Sequence, residues 1–246
     1  MTVVIAALLL TATVASAQVN IEHYRGKPGV TGAASYSFNS DLGNVDVISS
    51  DGAGNITINR VHGTILGVFS GGIGVHGGKR FANSGVLHLR YTYKRNPIYQ
   101  PEVFAQSDYA APRQLDWRTL IGVGLRFNST AAEQFALSLG TAMMWEREGL
   151  DLAPGDPHPD DTSVVRSSSY VNLHFDREVL FSTTAYLQPA VKDPGDLRLL
   201  GVVQLTTPVL RRLNQTTGVK FRVDSDPPAG VKKSDVKVST SFGLEF

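Results

Sequence analysis

The segment Val236-Lys-Val-Ser-Thr-Ser-Phe-Gly-Leu-Glu-Phe246 decides the fold of this chain. Side chains of a β-strand alternate between its two faces, so every second residue of the segment shares a face. One face is mostly apolar and comprises Val236, Val238, Thr240, Phe242, Leu244 and Phe246. The other face is polar and comprises Lys237, Ser239, Ser241, Gly243 and Glu245. This pattern predicts either the closing strand of a membrane barrel, with lipid outside and water inside, or the last half-buried strand of a soluble sheet.

The other end of the sequence favours the membrane barrel. Residues 3–15 are almost wholly apolar, and Ala15-Ser16-Ala17 before Gln18 has the small-x-small form of a signal-peptidase site. The run is shorter than the ~20 apolar residues of a transmembrane helix. No Lys or Arg precedes it, unlike the usual basic start of a signal peptide, and a buried N-terminal helix is the alternative. We predict a cleaved signal peptide at 1–17, a periplasmic lead-in at 18–28 and a barrel domain at 29–246, located in the bacterial outer membrane.

Composition excludes several classes of protein. The chain has 246 residues and a formal net charge of +1, without the strong basic balance that nucleic-acid binding requires. It contains no cysteine, so neither a disulfide scaffold nor a thiolate metal site can form. We therefore expect no nucleic-acid partner and no cofactor. Past residue 17 no apolar run reaches the length of a spanning helix, so any membrane insertion must be through strands.

Alternating segments separated by turn residues continue through the chain. In one of them, Leu87, Leu89, Tyr91 and Tyr93 alternate with His88, Arg90, Thr92 and Lys94. Charged side chains at every second position are costly in a dry core but cost little in a solvated barrel interior. The pattern predicts an all-β fold, an antiparallel transmembrane outer-membrane β-barrel of about 12 strands. The expected strands are residues 30–38, 45–58, 64–76, 84–95, 101–110, 114–127, 133–147, 163–176, 179–191, 196–208, 215–225 and 234–246, although the glycine-rich stretch 40–83 could hold two strands or four.

The polar faces of these strands supply the candidate functional residues. We predict that the barrel interior is lined by His88, Arg90, Lys94, Asp116, Arg118, Arg126, Glu146, Arg166, His174, Lys220, Arg222 and Asp224. Basic residues outnumber acidic ones in this set, which favours a mildly anion-preferring pore. Alternatively, arginines and carboxylates pair across the interior and fill it. A barrel of about 12 strands lies between the filled and the open kinds, so both alternatives stand.

Three stretches of the sequence resemble a known family. Val223-Asp-Ser-Asp-Pro-Pro-Ala-Gly-Val-Lys-Lys-Ser-Asp235, followed by an alternating strand to the final Phe, is similar to the C-terminal signature of the domain of unknown function 481 family. Residues 115–126 are similar to its mid-barrel strand, and residues 83–93 to an earlier strand. The resemblance covers residues 29–246 and implies an outer-membrane barrel, in a family described as salt-induced outer-membrane proteins. The resemblance implies a link to osmotic stress, and the family has no established catalytic residue that could be assigned to this sequence.

No enzyme motif accompanies the resemblance. The sequence contains neither Gly-x-Ser-x-Gly nor His-Glu-x-x-His. Gly72-Ile-Gly-Val-His-Gly77 has the form of a dinucleotide fingerprint, but no helical pattern follows it. We expect a non-enzymatic envelope component or a narrow solute channel linked to osmotic or salt stress. An outer-membrane enzyme acting on lipid or lipopolysaccharide and a secreted soluble β-protein are the alternatives.

The expected partners follow from the expected location. Outer-membrane lipids and lipopolysaccharide would surround the barrel. The barrel-assembly machinery would recognise the closing strand, with Phe242, Leu244 and Phe246 as the signal. The sequence leaves the oligomeric state open.

Overall fold

The structure is a computed structural model that describes residues 29–41, 47–130, 134–210 and 213–244. The predicted signal peptide and lead-in lie outside these residues, as does Phe246. Twelve β-strands and one short 3-10 turn at Ala111–Arg113 make up the regular structure of the described chain. These residues include no helix that is long and apolar enough to cross a membrane.

The strands are 10 to 16 residues long, and about 9–11 residues suffice to cross a bilayer as a tilted strand. Their bounds are Gly29–Asp41 (β1), Val47–Arg60 (β2), Gly63–His76 (β3), Lys79–Tyr93 (β4), Tyr99–Ala110 (β5), Leu115–Thr130 (β6), Phe135–Leu150 (β7), Asp161–Asp176 (β8), Leu180–Pro189 (β9), Leu197–Leu210 (β10), Leu213–Asp224 (β11) and Ser234–Leu244 (β12). The stretch 40–83, which the sequence left open, contains β2, β3 and the start of β4.

All strands belong to one antiparallel sheet in which each pairs with its neighbour in the sequence, from β1 to β12. The sheet is strongly curved, because contacts cross its inward face: Tyr170 of β8 reaches Glu102 of β5, and Gln114, just before β6, reaches Ala229 in the loop that precedes β12. The sheet therefore curls into a 12-stranded up-and-down barrel. The prediction of about 12 antiparallel strands is confirmed.

The connections distinguish the two ends of the barrel. At one end, which we call the loop end, lie the connection 111–114 and the three longest described connections, 151–160, 190–196 and 225–233. At the other, the turn end, lie 61–62, 94–98 and 177–179. The loop end also carries the two-residue turn Gly77–Gly78, whose φ angles of 53° and 76° suit a tight hairpin and are adopted by glycine without strain. Residues 72–77, which have the form of a dinucleotide fingerprint, therefore form the end of β3 and the first residue of this turn.

Apolar residues face outward and charged residues face inward. On β4, Leu87 and Leu89 are 50% and 51% exposed, whereas His88 and Arg90 are buried. On β12, Val236 and Val238 are 70% and 66% exposed. A continuous apolar outer surface of this kind marks a face that meets lipid rather than water. The arrangement excludes the soluble β-protein alternative, in which the charges would face outward around a dry core.

Candidate functional site

Glu146 on β7 is the centre of the charged interior. Arg118 Nη1 lies 3.9 Å from its Oε2 atom. Arg166 Nε donates to its Oε1 atom at 3.0 Å, and Arg198 Nη1 donates to the same oxygen at 2.6 Å. All four side chains are buried, and three of the four come from other strands. Buried charges are tolerated when they are paired and hydrogen-bonded, and this cluster satisfies that condition.

The pairing extends from Glu146 into a network that reaches from β5 to β11. Arg118 contacts Asp108 at 3.1 and 2.8 Å, and Arg166 contacts Asp196 at 3.0 and 2.7 Å. We call the whole set the ion-pair network. Its members are Arg113, Arg118, Arg166, Arg198, Arg222, Asp108, Glu146, Glu148, Asp196 and Asp224. Guanidinium and carboxylate groups are equal in number, so the network carries no formal net charge.

Several contacts run across the interior and occupy much of it. Arg198 belongs to β10 and Glu146 to β7, so their contact bridges β8 and β9. Nearer the turn end, Tyr170 OH of β8 donates to Glu102 Oε2 of β5 at 3.3 Å. Glu102 also accepts a hydrogen bond from Arg90 Nη1 at 2.9 Å. Side chains that join non-adjacent strands occupy the space between those strands. We call the inward faces of β4 to β9, together with Arg198, the packed side.

Two glycines make room for aromatic rings on the packed side. A Cβ atom on Gly122 would collide with the Phe104 ring, and one on Gly140 would collide with the Tyr170 ring. The Arg90 guanidinium lies 4.9 Å from the centroid of the Phe104 ring, an attractive cation–π distance. Glycine in a strand interior commonly marks such a close approach. The rings and the ion pairs together occupy most of this part of the lumen and leave a pocket between Phe104, Glu146 and Tyr186.

The inward faces of β11 and β12 differ, and we call them the open side. Thr216, Lys220 and Lys237 are half-buried there, whereas most inward residues of the packed side are buried. Lys220 and Lys237 are register partners, directly opposite each other. In the described chain neither lysine has a carboxylate within the 4.0 Å of an ion pair. The interior thus contains a neutralised side and a side with two unpaired cations.

The loop 225–233 covers the loop end of the barrel. Ala229 N donates to Asp156 Oδ2 at 3.0 Å, and Gln114 Nε2 donates to Ala229 O at 3.2 Å. Three loops are therefore tied together across the end of the barrel. A recess remains beneath them. Its charged lining comprises Arg113, Arg118, His158, Arg198, Arg222, Lys232 and Lys233 together with Glu148, Asp224, Asp226 and Asp235.

The buried histidine of the interior contacts amide and guanidinium groups. His88 Nδ1 lies 3.1 Å from Gln106 Oε1, and Arg90 Nε donates to His88 Nε2 at 3.4 Å. Both ring nitrogens are thus engaged by groups other than a serine hydroxyl. Among the residues that the structure describes, no three His, Cys, Asp or Glu side chains are grouped to hold a metal ion.

Most of the predicted lining residues lie on inward strand faces. Those that are buried are His88, Arg90, Arg118, Arg126, Glu146, Arg166 and Asp224. Those that are half-buried are Lys94, His174, Lys220 and Arg222. The ion-pair network brings together Arg118, Glu146, Arg166, Arg222 and Asp224. Arg126 donates to Ser138 Oγ and Asn128 Oδ1, each at 2.6 Å.

Asp116 is the exception. Leu115 pairs with Leu150 and Trp117 pairs with Gly149, so Asp116 is the extra residue of a β-bulge at the start of β6. It is exposed, and the prediction that it lines the interior is wrong. A bulge interrupts the period of two, so alternation continued through it assigns Asp116 to the face of Arg118.

The residues of the predicted closing signal lie at the end of the last strand. Phe242 and Leu244 belong to β12 and pair with Gln215 and Leu213 of β11. Phe246 lies outside the described residues. Recognition of these residues by the assembly machinery stays a prediction.

Several charged residues of the interior were missed in the sequence. Glu102 and Asp108 lie on the inward face of β5, where their even spacing with Gln100 and Gln106 was an available signal. Arg198 gave no comparable signal, because the next inward residues of its strand are apolar. Its importance follows from the acidic groups of β7 and β11 that it meets, and those contacts depend on how the barrel closes.

An apolar outer belt, an up-and-down antiparallel sheet and a charged interior define a β-barrel of the outer-membrane type. A similar fold is found in the solved structure of the NanC porin, with a TM-score of 0.51 and 8% sequence identity, covering 88% of this chain and 99% of that chain. The translocator domain of autotransporter NalP from Neisseria meningitidis aligns with a TM-score of 0.49 and 9% identity, covering 91% of this chain and 90% of that chain. The prediction of an outer-membrane β-barrel fold is confirmed.

The chain belongs to the family described as "Protein of unknown function, DUF481", whose model matches residues 74–246. The resemblance noted in the sequence is thereby confirmed. A search of curated proteins finds no significant match.

Proposed function

We propose that this chain is a non-catalytic outer-membrane barrel that conducts small solutes through a narrow passage along its open side, with a preference for anions. The observation that carries the proposal is the pair Lys220 and Lys237. Both face the interior, both are half-buried, and neither has an ion-pair partner in the described chain. Unpaired cations that line a wet passage favour the passage of anions.

The packed side explains why the passage would be narrow. The ion-pair network and the contact between Tyr170 and Glu102 occupy the lumen between β5 and β10. A pocket lined by His88, Phe104 and Tyr186 remains among these side chains. Along β11 and β12 the half-buried Lys220 and Lys237 leave the wall of the lumen more accessible, below the recess that Arg222, Lys232 and Lys233 help to line. A solute arriving from the loop end would pass this recess, in which arginines and lysines outnumber carboxylates, before it reached the two lysines.

The outer-membrane location is supported by the apolar outer belt and by the fold. The loop end would face the outside of the cell and the turn end the periplasm. Lipids and lipopolysaccharide are the proposed surroundings, and the barrel-assembly machinery is the proposed partner of the closing strand. The connection with osmotic or salt stress rests on the family resemblance alone, and growth of a deletion strain at high salt would test it.

The absence of catalysis is part of the proposal. Its support is that the two ring nitrogens of His88 contact Gln106 and Arg90 in the described chain. An alternative role as a lipid-acting enzyme predicts release of fatty acid from phospholipid vesicles by the refolded protein. We expect no release, and release that disappears in His88→Ala or His174→Ala would contradict the proposal.

Planar-bilayer recording of the refolded chain tests the channel. Across a KCl gradient we expect a small conductance whose reversal potential shows anion preference. The double variant Lys220→Gln/Lys237→Gln should lose that preference, whereas Lys192→Gln, on the exposed loop 190–196, should keep it. No conductance in any salt would contradict the channel and leave a filled barrel with a structural role in the envelope.

A further inference from the structure

The two lysines of the open side are placed to share one ligand. Lys220 of β11 and Lys237 of β12 are direct register partners and point to the same side of the sheet. The Cβ atoms of directly opposed residues in antiparallel strands lie about 4.5–5.5 Å apart. Two long, flexible side chains that start so close together can bring both ammonium groups to a single small anion.

The local charge is unbalanced, unlike the charge of the ion-pair network. Like charges directly opposite each other on a sheet are destabilising. Asp51 of β2 is the acidic group whose charge interacts with Lys237, and it is not within ion-pair distance of either lysine. Asp51 is buried, and its Oδ1 atom has no hydrogen-bond partner in the described part of the chain. Two ammonium groups and one carboxylate leave one positive charge.

The lysines are also accessible. Both are half-buried, and they lie on the strands that border the open side rather than within the network. Arg222, two residues from Lys220 on the same face of β11, lines the recess under the loop 225–233. A solute could therefore reach the pair from the loop end.

We propose that Lys220 and Lys237, with Asp51 beside them, form a binding site for one monovalent oxyanion, of which a carboxylate is the simplest example. The inference rests on the proposed function and deepens it, because it turns a general anion preference into one saturable site inside the barrel. One carboxylate would accept a hydrogen bond from each ammonium group and would cancel the remaining positive charge.

Calorimetric titration of the refolded chain in detergent tests the site without requiring conduction. Sodium acetate is the probe, and sodium sulfate at matched ionic strength is the divalent comparison. We expect saturable binding of acetate with one site per chain. Binding of sulfate more tightly than acetate would overturn the monovalent assignment, and acetate heats that do not saturate would overturn the site.

Three variants separate the site from a general effect of charge. Lys220→Gln and Lys237→Gln should each weaken acetate binding by about tenfold or more, the scale of one lost charge-assisted hydrogen bond. Asp51→Asn should strengthen it, because it removes the negative charge beside the lysines. Lys192→Gln on an exposed loop is the matched control and should bind acetate as the parent does. Heat-modifiable gel mobility shows that each variant is folded.

The outcomes distinguish this site from the channel. Acetate binding without any bilayer conductance would support the site and contradict the proposed function. Conductance with anion preference but unchanged acetate binding in both lysine variants would support the channel and overturn the site. Weaker acetate binding in Asp51→Asn would also overturn it.

Discussion

The packed side and the open side of this barrel differ in whether their charged side chains have ion-pair partners. On the packed side, Arg118, Arg166 and Arg198 share Glu146, and the whole ion-pair network is formally neutral. On the open side, Lys220 and Lys237 face each other without an ion-pair partner in the described chain. A buried charge needs a partner, whereas a charge that water or a solute can reach does not. The difference indicates that one side stiffens the barrel and the other is available to solutes.

The largest expected effect comes from removing the centre of the network. Glu146→Gln keeps the shape of the side chain but leaves three buried arginines short of a counter-charge. We expect a loss of about 3–5 kcal/mol in the free energy of unfolding. Urea-induced unfolding in lipid vesicles measures it. Asp161→Asn is the matched control, because the Arg147–Asp161 pair is half-exposed and should be worth no more than about 1 kcal/mol. Equal losses would show that the network does not stabilise the packed side.

A smaller loss is expected when the packed side is overfilled. Gly140→Ala places a methyl group against the Tyr170 ring, and overpacking of this kind costs about 1–3 kcal/mol. Gly67→Ala is the control, since its Cβ would meet Leu89 at an ordinary 3.4 Å. In the background Tyr170→Ala, the change at Gly140 should cost nothing further in urea unfolding. A full cost in that background would locate the strain elsewhere.

The sequence was sufficient to predict the architecture and part of the charged interior. Alternation located all twelve strands and the inward positions of Arg118, Glu146 and Arg166, because a barrel wall obeys a period of two. It failed at Asp116, where a β-bulge breaks that period. It could not pair Arg198 with Glu146 or Tyr170 with Glu102, since those contacts join strands that are distant in sequence. Which side is packed and which is open depends on such contacts.

The loop that covers the loop end should be only loosely held. Asp156→Ala removes the acceptor of the Ala229 N–H group and should cost about 1 kcal/mol, the scale of one hydrogen bond. The measurement is trypsin cleavage after Lys232 and Lys233, which we expect to accelerate. Asp160→Ala, at the other end of the loop 151–160, should leave the cleavage rate unchanged, because its exposed side chain makes no hydrogen bond to the loop 225–233 in the described chain. Unchanged cleavage in Asp156→Ala would show that this bond does not secure the loop.

The smallest effect on stability is expected on the open side. Lys220→Gln removes the repulsion between two like charges, so the free energy of unfolding should rise slightly, by less than about 1 kcal/mol. Adding Lys237→Gln should bring no further rise, because the repulsion is already gone. Urea unfolding in lipid vesicles measures both. A loss comparable to that of Glu146→Gln would place these lysines in the packing of the barrel.

Cysteine labelling tests the contrast between the two sides most directly. The natural chain has no cysteine, so each introduced thiol is the single reporter. Thr216 on β11 and Thr184 on β9 both face inward, but the first is half-buried and the second is 3% exposed. In the folded barrel, Thr216→Cys should react quickly with a small water-soluble thiol reagent, and Thr184→Cys should react only after unfolding. Equal reactivity of the two thiols in the folded barrel would contradict a lumen divided into a packed side and an open side.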